Sequence, residues 1–130
     1  MSISFAERLE RINAEFAEAF ANYVPTIEEY EAYVSDMMMH IEQNADTYNA
    51  FCEKFRMENP MMNITIDNLR DYEFVTRLSN KVHTMEEIAF ELFKLTGWGD
   101  NELYSDMFGC FQDGKCLLDE ILRLMDTIEI

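Results

Sequence analysis

Apolar side chains recur along this chain at steps of three and four, the spacing that gathers them on one face of an α-helix. Phe5, Leu9, Ile12, Phe16, Phe20 and Val24 form the first such stripe. Ser4 and Glu7 precede it as a capping box, in which a hydroxyl and a carboxylate satisfy backbone N–H groups left open at a helix start. Pro25 has no N–H to continue the ladder. A helix over 5–23 is predicted. Thr26 and Glu29 repeat the capping signature, and Ile27, Tyr30, Val34, Met37, Ile41, Tyr48, Cys52 and Phe55 carry a heptad-like rhythm. The pattern favours one long helix across 27–57. Asn44, Asp46, Thr47 and Asn49 have poor helix propensity, so two helices separated there are the alternative.

The stretch NPMMNITID, 59–67, is read as a connector, with Asp67 or Thr65 capping the next helix. Leu69, Tyr72, Val75, Leu78 and Val82 define that helix's stripe. Thr84 with Glu87 makes a third capping box, which predicts a break over 79–83 before Met85, Ile88, Leu92 and Leu95. Gly97 stands where a left-handed C-terminal cap is wanted. Asp100 is expected to cap a short helix, 101–108, with Leu103, Met107 and Phe108 inward. Gly109 and Asp113-Gly114 are then expected to turn the chain into a last helix, 115–128, bearing Leu117, Leu118, Ile121, Leu122, Met125 and Ile128. Trp98, between two glycines, reads as a lid over one end of the molecule or as an interface anchor.

Short connections force neighbouring helices to run in opposite directions. The expectation is an all-α, compact antiparallel bundle of about five to six helices. It has a Gly/Trp-containing connector before the last helix and forms a single domain over 1–130. Composition agrees. Hydrophobic residues make up 48% of the 130 positions, enough for a real core, whereas four glycines and two prolines are too few for the turns of an all-β chain. No apolar run approaches a membrane span. The amphipathic N-terminus is not a secretory signal, and three cysteines leave one unpaired. A cytoplasmic protein with free, buried thiols is expected.

Charge changes the picture most. Against 10 Lys and Arg stand 26 Asp and Glu, a formal charge of −16. Phosphate affinity needs cations that displace counterions, so direct binding to nucleic acid is disfavoured. Anionic membrane surfaces are disfavoured for the same reason. A basic protein would be attracted and its encounter accelerated. The arrangement is uneven. From Ile12 to Glu53 there is no lysine or arginine beside Glu15, Glu18, Glu28, Glu29, Glu31, Asp36, Glu42, Asp46 and Glu53. These acids avoid the apolar stripe of the second helix and fall on its outward positions. A second region, Val82 to Gly114, has Lys94 as its cation beside Glu86, Glu87, Glu91, Asp100, Glu102, Asp106 and Asp113. Met37, Met38 and Met39 advance about 100° per residue, so they do not share one narrow stripe. At least one is expected at its edge or outside.

The glycines Gly97, Gly99, Gly109 and Gly114 gather with Cys110 and Cys116 near four acids, a composition that invites a search for chemistry. Calcium fails: a loop starting at Asp100 has Ser105 where a glycine belongs and Phe111 where a bidentate glutamate belongs. Zinc lacks its spacing, because Cys110 and Cys116 are too far apart and His40 and His83 are remote. No lysine completes a phosphate loop. Lys115 is the sole cation near Cys110, against Asp106 and Asp113, so its thiol is not activated. No catalytic residue, cofactor or metal is expected, and the chain is not read as an enzyme.

The function these features point to is an acidic inhibitor or decoy of a basic, nucleic-acid-handling protein such as a nuclease or host-defence factor. Phage-encoded blockers and bacterial immunity proteins are functional classes of this kind, by analogy alone. Glu28, Glu29, Glu31, Asp36, Glu42 and Asp46 would meet the partner's cations in the manner of a DNA mimic. Tyr33, Met38, Met39 and Trp98 would add apolar contact. The alternative is a helical adaptor, chaperone or homodimer that binds through an apolar Met/Tyr face, with charge serving solubility.

Overall fold

The computed structural model describes residues 4–21, 26–97 and 99–128, with the backbone alone over 15–21. Five α-helices follow one another: α1 Phe5–Ala21, α2 Ile27–Gln43, α3 Ala45–Lys54, α4 Tyr72–Leu95 and α5 Asn101–Thr127. One turn of 3₁₀ helix, Asn68–Arg70, precedes α4. No strand occurs among the described residues, and none of their helices is long and apolar enough to cross a membrane.

The body is organised on a seam between α4 and α5, which pack more extensively than any other pair. On α4 the buried positions are Val75, Leu78, Val82, Met85 and Ala89, and on α5 Tyr104, Met107, Phe111, Gly114, Leu118 and Ile121. Both series alternate steps of three and four, the register that keeps one face of a helix on its neighbour. α2 and α3 lie against α5 and bury Tyr30, Val34, Met37, Tyr48, Phe51 and Cys52. Phe51 meets Phe111 edge-on, with ring centroids 4.9 Å apart. Each fully buried Leu, Ile or Phe contributes about 1.5–3 kcal/mol.

The local signals for helix starts hold at two places. Ser4 Oγ accepts from Glu7 N–H at 3.2 Å, and Thr26 Oγ1 from Glu29 N–H at 3.2 Å. At α4 the cap is Asp71, which accepts from Glu73 and Phe74. Thr65 Oγ1 accepts from Asn68 N–H at the 3₁₀ turn, whereas Asp67 and Asp100 make no side-chain cap. Val24, Pro25 and Trp98 lie outside the described residues.

Several breaks fall elsewhere than expected. The favoured single helix over 27–57 is two helices, parted at Asn44. Its side-chain amide donates to the His40 carbonyl at 2.9 Å, alongside its own backbone N–H at 3.0 Å, a local side-chain bond of the kind that favours helix ends. The break predicted over 79–83 is absent. Thr84 Oγ1 donates back to the Asn80 carbonyl at 3.1 Å instead of capping, and the core stripe runs through without a phase change. Gly97 has no positive φ; left-handed backbone occurs at Arg56 (φ 53°) and Asn63 (φ 65°). Arg56 closes α3: its N–H reaches Glu53 O at 3.3 Å while Met57 N–H reaches Cys52 O at 2.8 Å, the paired bonds of a Schellman motif.

The expected short helix 101–108 and the turns at Gly109 and Asp113-Gly114 are one continuous α5 of 27 residues. Gly114 sits in the buried stripe, where a Cβ would collide with the Tyr48 hydroxyl and lie 3.0 Å from His40 Nε2. Gly109 faces open space. Leu103, read as inward, is exposed. So are Phe5 (81%), Leu9 (48%) and Ile12 (43%), the described part of the α1 stripe. The thiols are free, but only Cys52 is buried; Cys110 is half-buried and Cys116 exposed, because it lies between the buried positions of α5.

The two helical glycines therefore respond oppositely. Gly109→Ala gains about 0.5–1 kcal/mol of stability from helix propensity. Gly114→Ala loses about 1–3 kcal/mol through overpacking despite the same propensity gain. Urea denaturation of both variants measures the contrast, and equal responses would place Gly114 outside the packed seam.

Candidate protein-interaction surface

The outer faces of α2 and α3 carry the anionic positions. The stripe Tyr30, Val34, Met37 turns inward, which leaves Glu28, Glu31, Asp36 and Glu42 exposed on the opposite side of α2, with Asp46 exposed at the start of α3. Glu29 is half-buried and its N–H is held by Thr26. Among the described residues, no lysine or arginine forms an ion pair with Glu28, Asp36, Glu42 or Asp46. Glu31 differs: Arg70 Nη2 approaches its Oε1 at 2.9 Å. That arginine is delivered by the 3₁₀ turn, which is tied to α2 where Tyr30 Oη donates to the Leu69 carbonyl at 2.9 Å. An exposed pair of this kind is worth under about 1 kcal/mol and is readily exchanged.

The methionine run fans outward one residue at a time. Met37 is fully buried, Met38 is half-buried against the core and Met39 is 54% exposed amid the carboxylates. Tyr33 is also half-buried against the core. Of the expected contact residues, then, Glu28, Glu31, Asp36, Glu42, Asp46 and Met39 are exposed, while Glu29, Tyr33 and Met38 are half-buried. Trp98 lies outside the described residues.

The second acidic region, like the first, has one carboxylate paired with a lysine or arginine among the described residues. His83 Nε2 lies 2.9 Å from Glu87 and Nδ1 3.4 Å from Glu86, and Lys94 pairs with Glu91 at 2.8 Å. Lys54, from α3, sits over the Tyr104 ring, 4.8 Å from its centroid. Lys115 pairs with Asp119 at 2.7 Å, and Asp119 also accepts from buried Ser79 at 2.7 Å, which links α5 to α4. Among the described residues Asp100, Glu102, Asp106 and Asp113 of this second region likewise form no ion pair with a lysine or arginine.

Behind this face lies a polar cluster that the sequence pattern does not assemble. His40 Nε2 and Tyr48 Oη are 3.1 Å apart, and Asn44 Nδ2 lies 3.2 Å from His40 Nδ1. Residues eight apart in a straight helix are separated by about 12 Å along the axis; the elbow at Asn44 and the reach of the tyrosine close that gap. Gly114 leaves the space both side chains fill. Burial raises the Tyr48 phenol, with the neighbouring Cys110 adding to the effect. Burial, reinforced by Asp113, pushes the Cys110 thiol up to about 11. Burial also lowers the His40 imidazole, with Asp113 opposing. A nucleophilic cysteine needs a lowered pKa. This set is instead a neutral hydrogen-bonded network that fixes the angle between α2 and α3. Among the described residues no three His, Cys, Asp or Glu side chains converge as a metal ion requires.

His40 gives the network a pH dependence. Its folded pKa lies below the unfolded value of about 6.5, so the unfolded chain takes up the proton first as pH falls. Stability from this residue is full above that value. It is lost on acidification at up to about 1.4 kcal/mol per pH unit, until the folded pKa is reached. Urea unfolding of the wild type and His40→Gln at pH 7.5 and 5.5 should show the wild type losing more; parallel losses would refute the assignment. No family model matches this chain, and no curated protein or solved structure matches it either, so its function is argued from the chemistry of this surface.

Proposed function

We propose that the protein is an acidic inhibitor or decoy, which blocks a basic, nucleic-acid-handling protein by occupying its cationic groove with the outer face of α2 and α3. The observation that carries this reading is a set of exposed carboxylates, Glu28, Asp36, Glu42 and Asp46, without cationic partners among the described residues and with exposed Met39 among them. Like charges on one face repel and cost folding free energy, which a cationic groove would recover on binding. The alternative purpose, solubility, does not require an apolar side chain within the charged face.

Spacing narrows the mimicry. Of the five acids of α2, Glu28, Asp36 and Glu42 are exposed without a cationic partner among the described residues and span about 21 Å of axis. That is about one charge per 7–10 Å, sparser than either the one per 1.7 Å of a duplex or the one per 3.4 Å of a single strand. The face therefore suits a groove with a few separated cations rather than one that reads every phosphate of a strand. The carboxylates would steer encounter and set register, and Met39 would supply adaptable apolar contact at its centre.

A second reading, self-association, is favoured by one specific feature. Phe5, Leu9 and Ile12 expose an apolar stripe on α1, and an isolated helix of this length is marginal in water. A second copy would cover that stripe without using the acidic face.

The two readings separate on salt and on mutation. Affinity capture with the wild type should recover one basic protein whose association slows with rising salt. The triple variant Glu28→Lys, Asp36→Lys, Glu42→Lys should lose it. Capture that ignores salt and charge reversal would overturn the decoy reading. For self-association, sedimentation velocity of Leu9→Glu, Ile12→Glu should show a smaller species than the wild type; identical sedimentation would dismiss it.

A further inference from the structure

α4 carries an unexpected feature in so acidic a chain. Arg77 and Lys81 stand one helical turn apart, both exposed, and among the described residues neither forms an ion pair with a carboxylate. Like charges at this spacing repel by a few tenths of a kcal/mol. Arg77 Nε only reaches the Glu73 carbonyl, at 3.4 Å. Both cations line a small cavity of about 190 Å³ with Pro60, Phe74 and Leu78, and no acid contributes to its wall. Pro60, Phe74 and Lys81 also line an adjacent, larger cavity of about 430 Å³. The larger is walled by Met57, Met62, Ile64, Phe74 and Met85, with Asn63 and Asn68 supplying amides; Glu58 is its acid. A volume of this size falls in the range of small-molecule sites, and its wall is mixed, with apolar side chains on one part and polar ones on the other.

The outer wall is a held segment. Asn59 donates to Asn49 Oδ1 on α3 and accepts from Met61 N–H, and Met61 is buried beneath the loop. Arg56 and Asn63, the two left-handed residues, bracket this stretch and set its path. A preformed wall lowers the ordering cost of binding.

We infer that this bipartite cavity binds a small amphipathic anion, with a carboxylate-like head between Arg77 and Lys81 and an apolar body along Phe74, Met62 and Ile64. The head would relieve the repulsion between the two cations, and the body would cover the apolar wall. The inference is independent of the acidic face, which lies on α2 and α3.

The test is a ¹H–¹⁵N NMR titration of the full chain with decanoate, decanol and inorganic phosphate. Decanoate is expected to shift the amides of 57–64 and 77–85 saturably, with a Kd of about 1 mM or below. Decanol and phosphate should each bind at least tenfold more weakly. Arg77→Gln with Lys81→Gln should weaken decanoate to the level of decanol. Thr84→Trp, at an exposed position on the cavity rim, should abolish both. Far-UV circular dichroism and the Tm establish that each variant is folded. Absence of saturable decanoate shifts, decanoate binding unchanged in the double glutamine variant, or equal affinity for decanol or for phosphate would each overturn the assignment.

Discussion

The close contact between α5 and the α2–α3 elbow is the constraint on which the rest of the molecule depends. Gly114 omits a side chain in the middle of the buried stripe, and the Tyr48 hydroxyl and His40 imidazole occupy the vacated space. A buried polar pair is stabilising only when its hydrogen bonds are made, and here each group meets the other at the one point where α5 allows it. Asn44 completes the arrangement by holding both the imidazole and the carbonyl of His40. The angle between α2 and α3 is set by these contacts, and with it the direction in which Asp36, Glu42 and Asp46 project.

That geometry connects the core to the surface. α2 turns Tyr30, Val34 and Met37 onto α5, and among the described residues Glu28, Asp36 and Glu42 on its outer side meet no lysine or arginine. Arg70 is the exception, because Tyr30 ties the 3₁₀ turn beside Glu31. Other cations are engaged elsewhere: Lys94, Lys115 and Arg123 pair with acids on their own helices, and Lys54 covers Tyr104. Arg77 and Lys81 face a cavity. The molecule thus presents an anionic face and an exposed cationic pair beside a cavity, on different elements.

Much of the fold is legible in the sequence because amphipathic periodicity is a strong signal for long helices. The capping boxes at Ser4 and Thr26 mark their helices correctly, since each depends on two side chains close in sequence. The departures share one cause. Gly109, Gly114 and Thr84 have local preferences for turns and caps, yet the three-and-four rhythm runs unbroken from Tyr104 to Ile121 and from Val75 to Ala89. Phase continuity is the signal that identifies both long helices. Arg56 shows the converse: an arginine holds a left-handed position of the kind expected at Gly97, because the end of α3 is imposed by packing of Phe51 and Cys52.

The outward placement of Glu28, Asp36, Glu42 and Asp46 was determined by sequence alone, because side-chain direction on a helix is a matter of period. So was the departure of Met39 from the core. Which acids stay without a cationic partner was decided only by tertiary structure, since an ion pair such as Arg70–Glu31 joins residues 39 apart. The same holds for the His40–Tyr48 network and for the cavity beside Arg77 and Lys81. Each needs an elbow, a loop or a crossing helix to bring groups together, and no local pattern encodes such a meeting.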